Sequence, residues 1–163
     1  MSERNKTKSE DLQLVVFTVG GNEFAIHISL VREIIHISKL VVLPNMPLSM
    51  VGIINVRGAV LPVVDLGRHF AMDQNAETDY ASQKVLLVEM EDSMVGYLVD
   101  NVSEVLQVPG NSLEESSKIS GLGSGFIDAI CNLEDRLIPI VNTNKLLTAQ
   151  EAQHLESLAE EEI

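Results

Sequence analysis

The sequence predicts a mainly β protein made of two copies of one lobe, and three observations carry that expectation. The stretch VGIINVRGAVLPVVDLGRHF, from Val51 to Phe70, lies without a gap on DAICNLEDRLIPIVNTNKLL, from Asp128 to Leu147, at an offset of 77 (130 − 53). Leu14 to Ile35 likewise lies on Val85 to Leu106 at an offset of 71 (102 − 31), so the second copy carries 6 extra residues (77 − 71). Apolar residues make up 45% of the chain but aromatics only 4%, with no Trp. Any core is therefore built from Val, Ile and Leu, and the β-branched residues among them suit a pleated sheet.

Taken in order, residues 1–11 are polar, without apolar period, and read as a solvated arm. Leu12 to Val19 and Glu23 to Ile28 flank Gly20-Gly21-Asn22, residues that tolerate the positive φ of a tight hairpin. Ser29 to Ile35 fits a short helix about as well as a turn followed by a strand. Pro44 and Pro47 end the Leu40 to Leu43 run, because proline lacks the ladder donor. Val51 to Val56 and Ala59 to Leu66 then form a hairpin across Arg57-Gly58. A polar join, 71–83, separates a first lobe at about 12–75 from a second at about 84–147.

The second copy opens with KVLLVEM at Lys84, turns at Glu91-Asp92-Ser93 and returns through Met94 to Val99. Asn101 to Val108 repeats the segment left open above, and a Ser/Gly-rich loop from Pro109 to Gly125 holds the expansion. After the second hairpin, Thr148 to Glu151 matches a capping box, and Ala152, Leu155 and Leu158 follow on one face of a helix over 148–163. Its acidic end, Glu160 to Glu162, opposes the helix dipole and is expected to fray.

The charge balance narrows the function. With 24 acidic and 11 basic residues, a net charge of −13 repels phosphate backbones and argues against nucleic acid or an anionic membrane as partner. A small-barrel oligonucleotide binder would need a basic, aromatic-lined face, which this composition opposes. Cys131 is single and lies in an apolar run, where a buried inert thiol is expected. The chain shows neither a charged-then-apolar leader nor an apolar run of membrane-spanning length, so the expected location is cytosolic.

Catalytic and metal signatures are missing as well. His27, His36, His69 and His154 are not spaced to place two ligands on one helix face, and no cofactor is expected. Asp65 and Asp100 end apolar runs, as strand-end turn residues do, and Gly121 to Gly125 precedes a strand where a dinucleotide loop would follow one. The informative positions are those where the copies disagree. Arg57-Gly58 in one hairpin faces Glu134-Asp135 in the other, so a tight turn alone does not call for the arginine. It is either an ordinary exposed turn residue or a donor fork for a partner's carboxylates.

Phe17 to Ile26 (FTVGGNEFAI), Val31 to Ile35 (VREII), Gly52 to Gly58 (GIINVRG), Leu61 to Leu66 (LPVVDL) and Val95 to Val102 (VGYLVDNV) together resemble the CheW family of bacterial chemotaxis coupling proteins. The resemblance runs from about Leu12 to Leu147. It implies two pseudo-symmetric, five-stranded, SH3-like β-barrels and a non-enzymatic adaptor that joins chemoreceptor cytoplasmic tips to the histidine kinase CheA. It further implies a receptor helical hairpin gripped between the barrels by Val31, Glu33, Ile34 and Arg57, with Gly96, Val102 and Val105 from the second copy. The kinase's regulatory domain would pack end to end, with Met46, Leu48 and Met50 as first-lobe contacts. A CheW-like coupling protein of another pathway, such as surface motility, would look the same. One departure is Ala129, where the family carries a small glycine, which bears on how closely the backbone there can be approached.

Overall fold

Leu14-Val15-Val16-Phe17 and Val85-Leu86-Leu87-Val88 are uninterrupted apolar runs, the pattern of strands covered on both faces. The computed structural model, which describes residues 11–37, 39–46, 49–70, 82–90, 93–115 and 125–146, buries both runs. The strands are β1 (Asp11–Val19), β2 (Asn22–His27), β3 (Val31–His36), β4 (Met50–Val56), β5 (Ala59–Asp65), β6 (Lys84–Glu89), β7 (Met94–Val99), β8 (Asn101–Pro109), β9 (Leu113–Glu115), β10 (Ile127–Leu133) and β11 (Arg136–Val141). Two single-turn helices, α1 (Leu66–His69) and α2 (Thr143–Leu146), follow β5 and β11.

The strands form one sheet in the order β8-β1-β2-β11-β10-β9 and another in the order β3-β6-β7-β5-β4. Both close on themselves. β8 and β9, at opposite ends of the first order, are joined in the chain by the 3-10 turn Gly110–Ser112. In the second, the chain beyond β3 returns to β4 through a bridge between Val41 and Ile53.

The two copies match element for element. β4 and α1 shifted by 77 are β10 and α2 (127 − 50; 143 − 66), and β3 shifted by 71 falls within β8 (102 − 31). Even the bulges recur. Arg32 and Ser103 are the extra residues in β3 and β8, and Val51 and Asp128 those in β4 and β10. The segment open between helix and turn-plus-strand is the second: a 3-10 turn, Ile28–Leu30, then β3. Pro109 to Gly125 is not one loop, because β8 ends at Pro109 and β9 pairs with β10. Glu114 opposite Ile130 is the counterpart of Val41 opposite Ile53, an offset of 73 (114 − 41). Two of the extra residues therefore precede that bridge and four follow it.

The sheets do not follow the copies. Lobes at 12–75 and 84–147 were expected to be contiguous, yet β1 and β2 of the first copy complete the sheet of β8 to β11, while β6 and β7 complete that of β3 to β5. The two-sided hydrophobicity of the exchanged hairpins is the reason. Leu14, Val16 and Ala25 fill the first barrel with Cys131, Ile138 and Ile140, while Val85, Leu87 and Leu98 fill the second with Ile54, Leu61 and Val63. Their opposite faces, with Val15, Phe17, Phe24, Ile26, Leu86, Val88, Val95 and Tyr97, meet in a third core between the barrels. Val64 and Val141, paired by the repeat, both belong to that shared core.

Asp65 caps α1, its Oδ1 accepting from the Gly67 amide at 2.9 Å and the Arg68 amide at 3.3 Å. Asp100 accepts from the Gly20 amide at 2.8 Å and so ties the β1–β2 turn to the start of β8. Both are turn residues, as their positions at the ends of apolar runs implied. Of the arm expected at residues 1–11, Asp11 instead opens β1 and the remainder lies outside the described residues, as do most of the join and the helix over 148–163. No helix among the described residues is long and apolar enough to cross a membrane.

Candidate functional site

The V-x-E-I and R-G motifs meet in space. Arg57 and Gly58 have φ of 49° and 91°, so both central residues of the β4–β5 turn are left-handed, the geometry that matches the twist of a two-residue hairpin. Asn55 Oδ1 accepts from the Gly58 amide at 3.0 Å and braces it. From this tip the guanidinium reaches back to β3: Nη1 donates to Glu33 Oε1 at 3.0 Å, and Nη2 to Glu33 Oε2. The bulge at Arg32 sets the direction of Glu33, since an extra residue re-aims the side chain after it. Arg57 remains 72% exposed at its side chain, so the pair lies open to solvent.

Hydrogen bonding from Arg57 holds the Glu33 carboxyl below its ordinary range, with partial desolvation opposing it. Because the folded pKa is depressed, the pair stabilises above the unfolded pKa of about 4.3, and the contribution is lost as pH falls through the folded value. Carboxyl-resolved NMR titration is expected to show the Glu33 midpoint moving up to the ordinary range in Arg57→Asn. An unchanged midpoint would mean that the pair does not persist in solution.

The apolar candidates flank the shared core. Directly opposed residues of an antiparallel pair project to one face. Val31 opposes Val88 and Ile34 opposes Leu86, whereas Val102 opposes Phe17 and Val105 opposes Val15; all four opposing residues belong to the core between the barrels. Val31 and Val102 pack on its margins, while Ile34 and Val105 are 42% and 52% exposed. These two exposed positions are equivalent in the repeat (105 − 34 = 71).

A CheW-like domain model matches residues 13–151. The chain belongs to the CheW family. A probable chemotaxis protein CheW of Rhizobium etli is 32% identical over 144 residues, 88% of this chain and 92% of that one. The chemotaxis protein CheW of Bacillus subtilis is 28% identical, covering 86% and 90%. The crystal structure of scaffolding protein TtCheW from Thermoanaerobacter tengcongensis matches with a TM-score of 0.77 at 26% identity, covering 86% of this chain and 94% of that chain. Membership of this scaffolding family makes the chain a non-enzymatic component of chemotaxis signalling.

Within this CheW-family chain, two expected contacts are corrected. Gly96 is buried in β7, where an added Cβ would lie 2.8 Å from Val85 Cγ1, so it serves packing and is not a surface contact. Met50 is 4% exposed in the shared core, because β4 already pairs with β5 there. Met46 packs partly buried on the same core, and Leu48 lies outside the described residues. The apolar side chains offered nearby are instead Val41 and Val42, 48% and 73% exposed. Val60 and Leu137, 37% and 66% exposed, were also missed. Their signal was available in the repeat, since both are apolar at matched positions (137 − 60 = 77) just beyond the hairpin turns.

Proposed function

We propose that this chain joins the cytoplasmic tips of chemoreceptors to the regulatory domain of the kinase CheA, acting on the cytoplasmic side and recruited to receptor arrays. The observation that carries the reading is the convergence of Glu33 and Arg57 beside an apolar margin with Ile34 exposed. A helical partner laid along such a margin gains from burying apolar anchors, while the arginine fork can exchange Glu33 for a carboxylate of the partner. The receptor contact then uses Val31, Glu33, Ile34 and Arg57, with Val102 and Val105 on the opposite margin, and the kinase contact involves the Met46 region.

Titration against a receptor signalling-domain fragment tests the reading. Ile34→Asp places a charge on the proposed contact and is expected to weaken binding about tenfold or more, with Tm within about 2 °C of wild type, since Ile34 is already 42% exposed. Wild-type protein that binds neither the receptor fragment nor the CheA regulatory domain would refute the reading.

A further inference from the structure

The two apolar margins are anchored alike. Val31 and Ile34 enclose Arg32-Glu33 on β3, and Val102 and Val105 enclose Ser103-Glu104 on β8, so each margin has two polar residues at its centre. Both stretches need a hold. β3 and β8 stand at the ends of their sheet orders, laddered among the described residues to β6 and β1 alone, and a bulge interrupts each ladder at Arg32 and at Ser103. The bulged residue itself reaches the neighbouring strand. Arg32 Nε and Nη2 each donate to Glu89 of β6 at 2.9 Å, and Ser103 Oγ donates to the Val16 carbonyl of β1 at 3.2 Å. The glutamates are tied further off, to arginines that the repeat does not match: Arg57 lies at a hairpin turn, whereas Arg136 opens β11 and corresponds to Ala59 (136 − 59 = 77). One clasp is thus made twice, from different positions.

The second clasp is the more enclosed. Arg136 donates through Nη2 to Glu104 at 3.0 Å, and through Nη2 and Nε to Glu23 at 2.7 and 3.3 Å, so one guanidinium joins β8, β11 and β2. Its side chain is 27% exposed, against 72% for Arg57. Glu104 opposes Val16 of the first barrel's core, whereas Val105 opposes Val15 of the shared core, so the clasp holds one face of β8 while the margin presents the other. We propose that Arg136 is a positioning residue for receptor binding: through Glu104 it sets where β8 holds Val105, without itself touching the receptor. Without the cation, Glu23 and Glu104 would face each other as like charges, and the attraction that draws β8 towards β11 would become a repulsion. The proposal rests on the receptor reading above, which places Val105 at the contact, and adds a residue outside that contact.

A double-mutant cycle in the full chain, titrated against the receptor signalling-domain fragment, separates positioning from contact. Glu104→Gln and Arg136→Gln cut the clasp from its two sides, and each is expected to weaken binding about fivefold. Glu104→Gln keeps the side chain's shape and leaves Arg136 on Glu23, so it carries the test even where Arg136→Gln does not fold. Val105→Ala removes the group being placed, and in that background either clasp variant is expected to cost about twofold or less. Binding of the CheA regulatory domain, whose contact is read near Met46, should stay within about twofold of wild type throughout. Melting curves and far-UV spectra establish which variants are folded. Unchanged receptor binding in a folded clasp variant, a loss that is as large in the Val105→Ala background, or an equal loss of kinase binding overturns the proposal and leaves the receptor reading standing. Wild-type protein that does not bind the fragment removes both.

Discussion

Gly52→Ala is expected to lower the Tm by about 5–10 °C. The chain beyond β3 crosses β4 at Gly52, with the Val41 amide donating to the Ile53 carbonyl at 2.9 Å and the Ile53 amide donating to the Val41 carbonyl at 2.8 Å. A Cβ on Gly52 would sit 2.4 Å from the Val41 carbonyl oxygen and 3.0 Å from its carbon. Both atoms are backbone held by that bridge, so neither can swing aside. Overpacking of this kind costs about 2–3 kcal/mol, and each kcal/mol moves Tm by about 2–4 °C in a chain of this size. Gly96→Ala is the comparison: its Cβ would lie 2.8 Å from Val85 Cγ1, a stiff β-branched side chain in the packed core, so a loss from overpacking is expected there too. Ala129 already occupies the Gly52 position in the second copy (129 − 52 = 77), so Ala129→Gly should not stabilise. Equal Tm values for wild type and Gly52→Ala would show that the crossing can loosen.

The contrast between Gly52 and Ala129 marks how far the sequence could be read. Two gapless offsets identify equivalent strands because apolar alternation and turn residues are local properties, and strand positions and recurring bulges agree with them. Which strands pair is non-local. Nothing in the offsets says that β1 and β2 leave their own copy, although the clue lay in their apolar runs: a hairpin with two greasy faces needs a cover on each. Met50 was misplaced for a related reason, since it opens β4 at the shared core when reading the proline-bounded stretch as a loop suggests exposure. Arg57 and Glu33 were each singled out, but their pairing across 24 residues depends on barrel closure, which brings the end of the β4–β5 hairpin beside β3.

Arg57→Asn is expected to leave the fold as stable as wild type, or to raise its Tm by a few degrees, while weakening receptor binding about thirtyfold. The backbone at position 57 favours replacement: a left-handed φ of 49° suits Asn or Gly better than Arg, and Asn-Gly is a preferred pair for this two-residue turn. The ion pair lost with Glu33 is solvent-exposed and offsets little of that gain. The second copy closes the same hairpin on Glu134-Asp135 without left-handed residues, because Asn45 and Arg57 are the non-glycine residues with positive φ among those described. A strained arginine is therefore not needed for the turn. Arg57→Lys separates charge from geometry: a lysine keeps the cation but loses the planar fork, so its affinity should fall between wild type and Arg57→Asn. Melting and titration on the same three samples test this. A Tm drop beyond about 5 °C in Arg57→Asn with unchanged affinity would make the arginine a structural clasp for Glu33 and nothing more.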